Sequence, residues 1–381
     1  MNPHFSAKKP GKPRILVAPL DWGLGHATRC IPIIRELLAQ QAEVWLAGEG
    51  AQEQLLKTEF PELPFLNLPG YRIRYAKTPL GLTWKMIQQA PKMKRAIRAE
   101  HQWLEKAVTE YGFDAVISDN RYGLYHSNVP SVFITHQLLI KSSMGNWTEK
   151  ILQHQNYRYI NRFTECWVPD KAGEINLAGE LSHPVNMPAI PVSYTGPLSR
   201  FSITEIEASA SPVIPKHLLI ILSGPEPQRS LLEEKIIAGI SHYPGTAIVV
   251  RGLPGEAALI PSTNMIRFYN HLPAAALLKE FAAAEYVIGR SGYSTVMDIM
   301  ALQKKSILIP TPGQTEQEYL GNYLAGKKRI CSVLQEDFSL LPVLAKAAVY
   351  NYSFTERSAD SPLPGIIKKL LSGPDQPPAL G

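Results

Sequence analysis

His26 follows two glycines in Gly23-Leu24-Gly25-His26, just after the apolar run Arg14 to Pro19. A histidine has an ordinary pKa of about 6.5, so it can take a proton from a hydroxyl near neutral pH. Asp119 closes a second apolar run, Asp114 to Ser118, and Arg121 follows it; His136 closes a third, Ser131 to Thr135. A carboxylate beside an imidazole orients it and stabilises it once it has taken a proton. Spacing alone does not say whether Asp119 reaches His26, and Asp119 stands as the alternative base. A fourth set is Gly289-Arg290-Ser291-Gly292, after the run Tyr286 to Ile288. Small residues there let a ligand approach the backbone. The start of the helix behind them offers free N–H groups and a positive dipole end to phosphate. Asp298 lies about two turns into that helix, on a face that can reach the sugar hydroxyls of a nucleotide.

The elements that must hold these residues repeat. Arg14 to Pro19, a helix striped by Ile31, Ile34, Leu37 and Leu38, and the strand Glu43 to Ala47 make an opening βαβ unit. The pattern restarts at His217 to Leu222, with Ser223-Gly224-Pro225-Glu226-Pro227-Gln228-Arg229 behind it. It closes on Tyr286 to Ile288, a helix carrying Val296, Ile299 and Met300, and the strand Ile307 to Ile309. The fold class is therefore α/β, with two Rossmann-like doubly wound domains facing a cleft. The expected division is a tail at 1–13, a first domain at 14–198, a second at 199–372 and a tail at 373–381. In such sheets ligands collect at the C-terminal strand ends. His26, Asp119, Arg121 and His136 are expected on one cleft wall, with Arg29 beside them. The plain alternatives are a helix cap for His26 and a solvated surface for Arg29 and Arg229. Gly23 and Gly25 also fit two positions of the dinucleotide fingerprint, but its third glycine is replaced by Thr28.

The 381 residues suit two domains, and an apolar content of 45% suffices for their cores. No apolar run approaches the ~20 residues of a membrane span. Met1 to Pro13 is polar, basic and Pro-rich, with no signal-like apolar core, and is expected to be disordered. Cys30, Cys166 and Cys331 are scattered, which argues for a reducing compartment and against a zinc site. The net charge of +6 is local. Leu63 to Ala99 holds no acid but has Arg72, Arg74, Lys77, Lys85, Lys92, Lys94, Arg95 and Arg98; without those eight, 31 bases of 39 face 33 acids. These lie in or before a helical region, Leu80 to Tyr111, that Pro91 is expected to break in two. Bases interleaved with apolar residues suit an anionic membrane surface. A solvated face is the plain alternative; nucleic acid is disfavoured, because no recognition motif accompanies the charge.

The segment Arg290-Ser291-Gly292-Tyr293-Ser294-Thr295-Val296-Met297-Asp298, followed by Gln314, Glu316, Gln317 and Asn322, resembles the donor site of GT-B nucleotide-sugar glycosyltransferases, family 28 above all. That family includes the enzyme making the peptidoglycan lipid intermediate and the monogalactosyldiacylglycerol synthases. Its nucleotide-holding segment is Arg/Cys-Ser-Gly-x-x-Thr-x-x-Glu; here Asp298 replaces the Glu. The resemblance implies that Arg290, Ser291, Gly292, Thr295 and Asp298 hold the nucleotide and that Gln314, Glu316 and Gln317 contact the sugar. It implies that Ser223 and Gly224 lie by the diphosphate, and Arg229, at the start of the helix behind them, is expected to supply charge to it. The family's Gly-His loop matches Gly25-His26 and faces the acceptor. The implied activity is transfer from a nucleotide-diphospho-sugar, uridine-based, to an acceptor hydroxyl, lipid-linked or membrane-associated, with inversion. His26 or Asp119 would be the base. No metal and no other cofactor is expected, since no DxD-type motif is evident. The implied location is cytoplasmic, peripheral on the membrane. Rival readings are an epimerase on the same fold and a non-catalytic nucleotide-sugar-binding subunit.

Overall fold

The computed structural model describes residues 11–71, 79–209, 211–253, 258, 260–355 and 361–372, with the backbone alone for 79–90. The first half runs β1 (Arg14–Pro19), α1 (Leu24–Ala39), β2 (Glu43–Gly48), α2 (Ala51–Glu59), β3 (Phe65–Asn67), α3 (Pro79–Tyr111), β4 (Ala115–Asp119), β5 (Ser131–Ile134), α4 (Asn146–Ile160), β6 (Glu165–Val168) and β7 (Val192–Tyr194). A connection with α5 (Ile203–Ala208) leads to the second half. That half is β8 (His217–Ile221), α6 (Gln228–Ile240), β9 (Thr246–Val250), β10 (Ile266–Tyr269), α7 (Ala274–Ala283), β11 (Tyr286–Gly289), α8 (Tyr293–Leu302), β12 (Ser306–Leu308), α9 (Thr315–Gly326), β13 (Cys331–Ser332), α10 (Leu340–Ala348) and α11 (Leu363–Ser372).

The strands form two parallel sheets, ordered β3-β2-β1-β4-β5-β6-β7 and β10-β9-β8-β11-β12-β13. Both reverse direction of winding beside their first strand, between β1 and β4 and between β8 and β11. This is the doubly wound α/β arrangement expected from the repeated βαβ pattern. Side chains alternate across each strand. Ile15 and Val17 of β1 pack under α1, while Leu16 and Ala18 face Leu104 and Ala107 of α3. The cluster under α1 continues into the second half through Leu219, Tyr293, Val296 and Met297. One apolar core therefore crosses the seam, with α1 against α8.

One feature departs from the sequence reading. Helix α3 runs unbroken through Pro91. Proline removes one backbone hydrogen bond, and a helix this long, anchored by buried Ile97, Leu104 and Ala107, tolerates the loss. Of the basic block, Lys92, Lys94, Arg95 and Arg98 are exposed on α3, whereas Arg72, Arg74, Lys77 and the Lys85 side chain lie outside the described residues. Helix α11, late in the chain, returns to α1: Ile367 is buried in the shared core, and Gln40 donates to the Pro364 carbonyl at 2.8 Å.

Candidate active site

Topology builds the first cluster. Pro19 of β1 is in register with Asp119 of β4, so the turn after β1 stands over the end of β4. Gly23 begins that turn's helix at a φ of 85°, a conformation side chains rarely adopt. His26, in the first turn of α1, brings Nδ1 to 3.2 Å from Asp119 Oδ1. Arg29, one turn on, donates from Nε to Asp119 Oδ2 at 2.7 Å and from Nη2 to Oδ1. The same guanidinium donates from Nη2 to His26 Nδ1 at 2.8 Å and from Nη1 to His136 Nδ1 at 3.2 Å. His26, Arg29, Asp119 and His136 thus form one network.

Its electrostatics follow from burial and pairing. Burial works against ionisation of Asp119, but Arg29 and His26 outweigh it and hold its pKa at about 2. Burial lowers His26 below its ordinary value; Asp119 pulls it up and Arg29 pushes it down again. At neutral pH the pair is therefore carboxylate and neutral imidazole. Asp119 is 0% exposed and its oxygens are spent on Arg29 and His26. This geometry speaks against Asp119 as the alternative base, since both its oxygens are engaged. His26 keeps 16% of its side chain exposed. Arg121 also departs from the expected wall. It is fully buried behind the sheet, donating to the Pro19 carbonyl at 2.9 Å and to Glu100 of α3 at 2.9 Å.

The seam meets this network directly. His136 Nε2 lies 2.8 Å from Glu316 Oε1, and Gln137 donates to Glu316 Oε2. Burial would raise the Glu316 pKa, but His136, Arg29 and His26 bring it below the ordinary value. The Tyr293 ring stacks on His136 at 4.1 Å and 9°, and its hydroxyl donates to the Pro169 carbonyl at 2.8 Å. Ser294 donates to the Gly25 carbonyl at 2.7 Å. A Cβ on Gly25 would stand 2.9 Å from that hydroxyl, so glycine permits the approach. Gln137, Tyr293 and Ser294 were not singled out from sequence. Tyr293 and Ser294 occupy the variable positions of the Ser-Gly-x-x-Thr segment, and only their place in that turn could have pointed to them.

At the second switch point Gly289 pairs with Ile221, which sets the β11 loop beside the β8 loop. Arg290 is 0% exposed and donates to the carbonyls of Gln228 at 2.6 Å and of Ile309 and Pro310 at 3.3 Å. Its Nε has no partner among the described residues, and burial alone lowers its pKa to about 10. A cation solvated only by carbonyls retains charge to offer an anion. Ser291 donates to the Gln317 carbonyl at 2.8 Å, and Gln317 bridges Thr311 N–H at 3.0 Å and Gln314 at 2.6 Å. The position of a Cβ on Gly292 lies 4.0 Å from Gln317 Nε2; that on Gly224 lies 3.5 Å from the Thr311 hydroxyl, which has no partner among the described residues. Gly224, with Ser223 before it, thus joins Arg290, Ser291, Gly292, Gln314 and Gln317 around one place. The Thr295 methyl lies 3.9 Å from where a Cβ on Gly289 would stand.

Two expected donor residues face elsewhere. Arg229 is buried between Glu226 at 2.6 Å and Glu233 at 3.3 Å, which corrects its placement by the diphosphate: its charge is already neutralised. Asp298 accepts from Ser199 Oγ at 2.9 Å, Arg200 N at 3.2 Å and Arg200 Nε at 2.8 Å. Its carboxylate holds the connection between the halves.

Residues 266–358 match the glycosyltransferase family 28 C-terminal domain. Over 74 residues the chain is 36% identical to the UDP-N-acetylglucosamine--N-acetylmuramyl-(pentapeptide) pyrophosphoryl-undecaprenol N-acetylglucosamine transferase of Rhodopseudomonas palustris (strain HaA2), covering 19% of each. The protein of that name from Desulforudis audaxviator (strain MP104C) is 30% identical over 159 residues, 36% of this chain and 41% of that one. The matches thus span less than half the length of these curated relatives. The crystal structure of the calicheamicin glycosyltransferase CalG4 superposes with a TM-score of 0.59 over 95% of this chain and 94% of its own, at 13% identity, a likeness of fold. This chain is family 28-like over residues 266–358, which match that family's C-terminal domain, and its fold is that of the GT-B glycosyltransferases.

Proposed function

We propose that the chain transfers a sugar from a uridine-based nucleotide-diphospho-sugar to the hydroxyl of a lipid-linked acceptor, with inversion at the anomeric carbon. One observation carries this reading. The loop bearing His26 meets the start of α8 at the Gly25–Ser294 contact, so a proton acceptor and a phosphate-binding helix start share one seam. His26 takes the acceptor proton as its oxygen attacks, and Asp119 stabilises the imidazolium that forms. The N-terminus of α8 and the buried Arg290 take the charge of the departing diphosphate. No step calls on a metal, and a chelator should leave turnover unchanged.

The names of the two bacterial relatives support the uridine donor and the lipid-linked acceptor. The exposed Lys92, Lys94, Arg95 and Arg98 support a peripheral place on an anionic membrane. No helix among the described residues is long and apolar enough to cross one. Calorimetry with uridine, thymidine and guanosine diphosphate sugars tests the donor. The uridine series should bind tightest; binding of none at millimolar concentration overturns the proposal.

A further inference from the structure

We infer that Arg29 locks His26 in the tautomer that cannot accept a proton on Nε2, and that Glu316 of the opposite domain sets the lock through His136. The first step rests on donor chemistry. A guanidinium has hydrogens to donate and no acceptor. Its Nη2 lies 2.8 Å from His26 Nδ1, so that nitrogen presents its lone pair and the ring proton sits on Nε2. Nε2 has no partner among the described residues, and it is the nitrogen left to meet an acceptor hydroxyl. A base needs the other tautomer, with Nδ1–H donating to Asp119 Oδ1, 3.2 Å away. Arg29 and Asp119 therefore compete for one ring nitrogen.

The same logic orients His136. Arg29 Nη1 donates to its Nδ1 at 3.2 Å, so its proton sits on Nε2 and is donated to Glu316 Oε1 at 2.8 Å. Stacked Tyr293 and the bond from Gln137 to Glu316 fix both partners. The chain of donors reads Arg29 to His136 to Glu316, and it crosses the seam. When a donor sugar hydroxyl engages Glu316, His136 loses its acceptor and Arg29 loses its outer anchor. Arg29 then pivots on Asp119, which it holds through Nε at 2.7 Å and through Nη2, and the second Nη2 bond, to Nδ1, is released. One proton leaves His26 Nε2 and one arrives at Nδ1, with no change in net charge. The base is armed only after the donor is seated. This timing rests on the donor and base roles proposed above; the resting tautomer does not.

The test is nitrogen-15 NMR of histidine-labelled full-length protein, with His26 and His136 assigned from His26→Gln and His136→Gln. In the free protein His26 should show a lone-pair signal at Nδ1 and an N–H signal at Nε2. Glu316→Ala, Arg29→Lys, or addition of UDP-N-acetylglucosamine should each move the N–H signal to Nδ1. Glu316 is partly exposed, so its variant remains informative if the Arg29 variant does not fold. An Nδ1–H signal in the free protein overturns the lock. A locked His26 unmoved by Glu316→Ala overturns the relay. A lock that responds to Glu316→Ala in a protein that binds no nucleotide sugar upholds the inference and sinks the proposed function instead.

Discussion

His26 and Asp119 divide the work between exposure and burial. His26 touches solvent and is neutral, whereas Asp119 is enclosed and charged. His26→Ala should lower turnover by about 10²–10⁴-fold and leave donor affinity nearly intact, because the donor loops belong to the other sheet. A helix cap would give the opposite result, a stability loss of about 1 kcal/mol with little kinetic change. Melting temperature, calorimetry and turnover on that one variant separate the two. Asp119→Ala strands the buried Arg29 charge and should cost about 3–5 kcal/mol in urea unfolding. The pH dependence has a definite sign. The Asp119 pKa is depressed from 3.8 to about 2, so its contribution is present above 3.8 and is lost as pH falls through 2. The stability gap to Asp119→Asn should hold above pH 5 and close toward pH 2. The residue types at this site were legible, since a histidine after a glycine turn and an acid at a strand end mark themselves. Their partners were only partly so. Glu226 and Glu233 stand three before and four after Arg229, spacing that pairs side chains and could have shown its charge to be spent. Arg200 and Asp298 are 98 positions apart, and no local pattern links them.

Helix α3 carries two separable devices. Its outer face presents Lys92, Lys94, Arg95 and Arg98. Changing all four to Gln should weaken binding to anionic vesicles by roughly 1 kcal/mol per charge at low salt, measured by sedimentation. No binding by the unaltered protein would show the face to be merely solvated. Its inner face holds Glu100 against Arg121 at 2.9 Å, Tyr71 at 2.7 Å and the Gly123 amide at 3.1 Å. Burial outweighs these partners and raises the Glu100 pKa from 4.5 to about 7. Its stabilising contribution is therefore full below 4.5 and is lost as pH rises through 7. Relative to Glu100→Gln, the protein should lose stability between pH 5 and pH 8, read from urea midpoints; a constant difference would refute it. The helix itself was legible from its apolar spacing. Its continuity through Pro91 was not, because the cost of proline is local while the packing that outweighs it is tertiary.

At the scale of the whole molecule, the connection between the halves sits on the residue matched to nucleotide binding. Arg200 and Ser199 fill the Asp298 carboxylate. If ribose takes that carboxylate, Arg200→Ala should tighten uridine diphosphate binding, whereas Asp298→Ala should weaken it by about 1–3 kcal/mol. Calorimetry on both decides it; unchanged affinity in Asp298→Ala removes that residue from the donor site. The two-sheet architecture was legible because each half repeats strand, glycine loop and helix. The seam was not, since His136 and Glu316 meet across 180 positions. Helix α11 adds a practical constraint on genetic dissection. It follows the second sheet in sequence yet seals α1 in the first, with Ile367 in the shared core. A fragment cut near residue 198 would expose that face of α1 to solvent. A chimera exchanging the halves of two such proteins must take α1 and α11 from the same parent, so the crossover scheme needs two junctions rather than one.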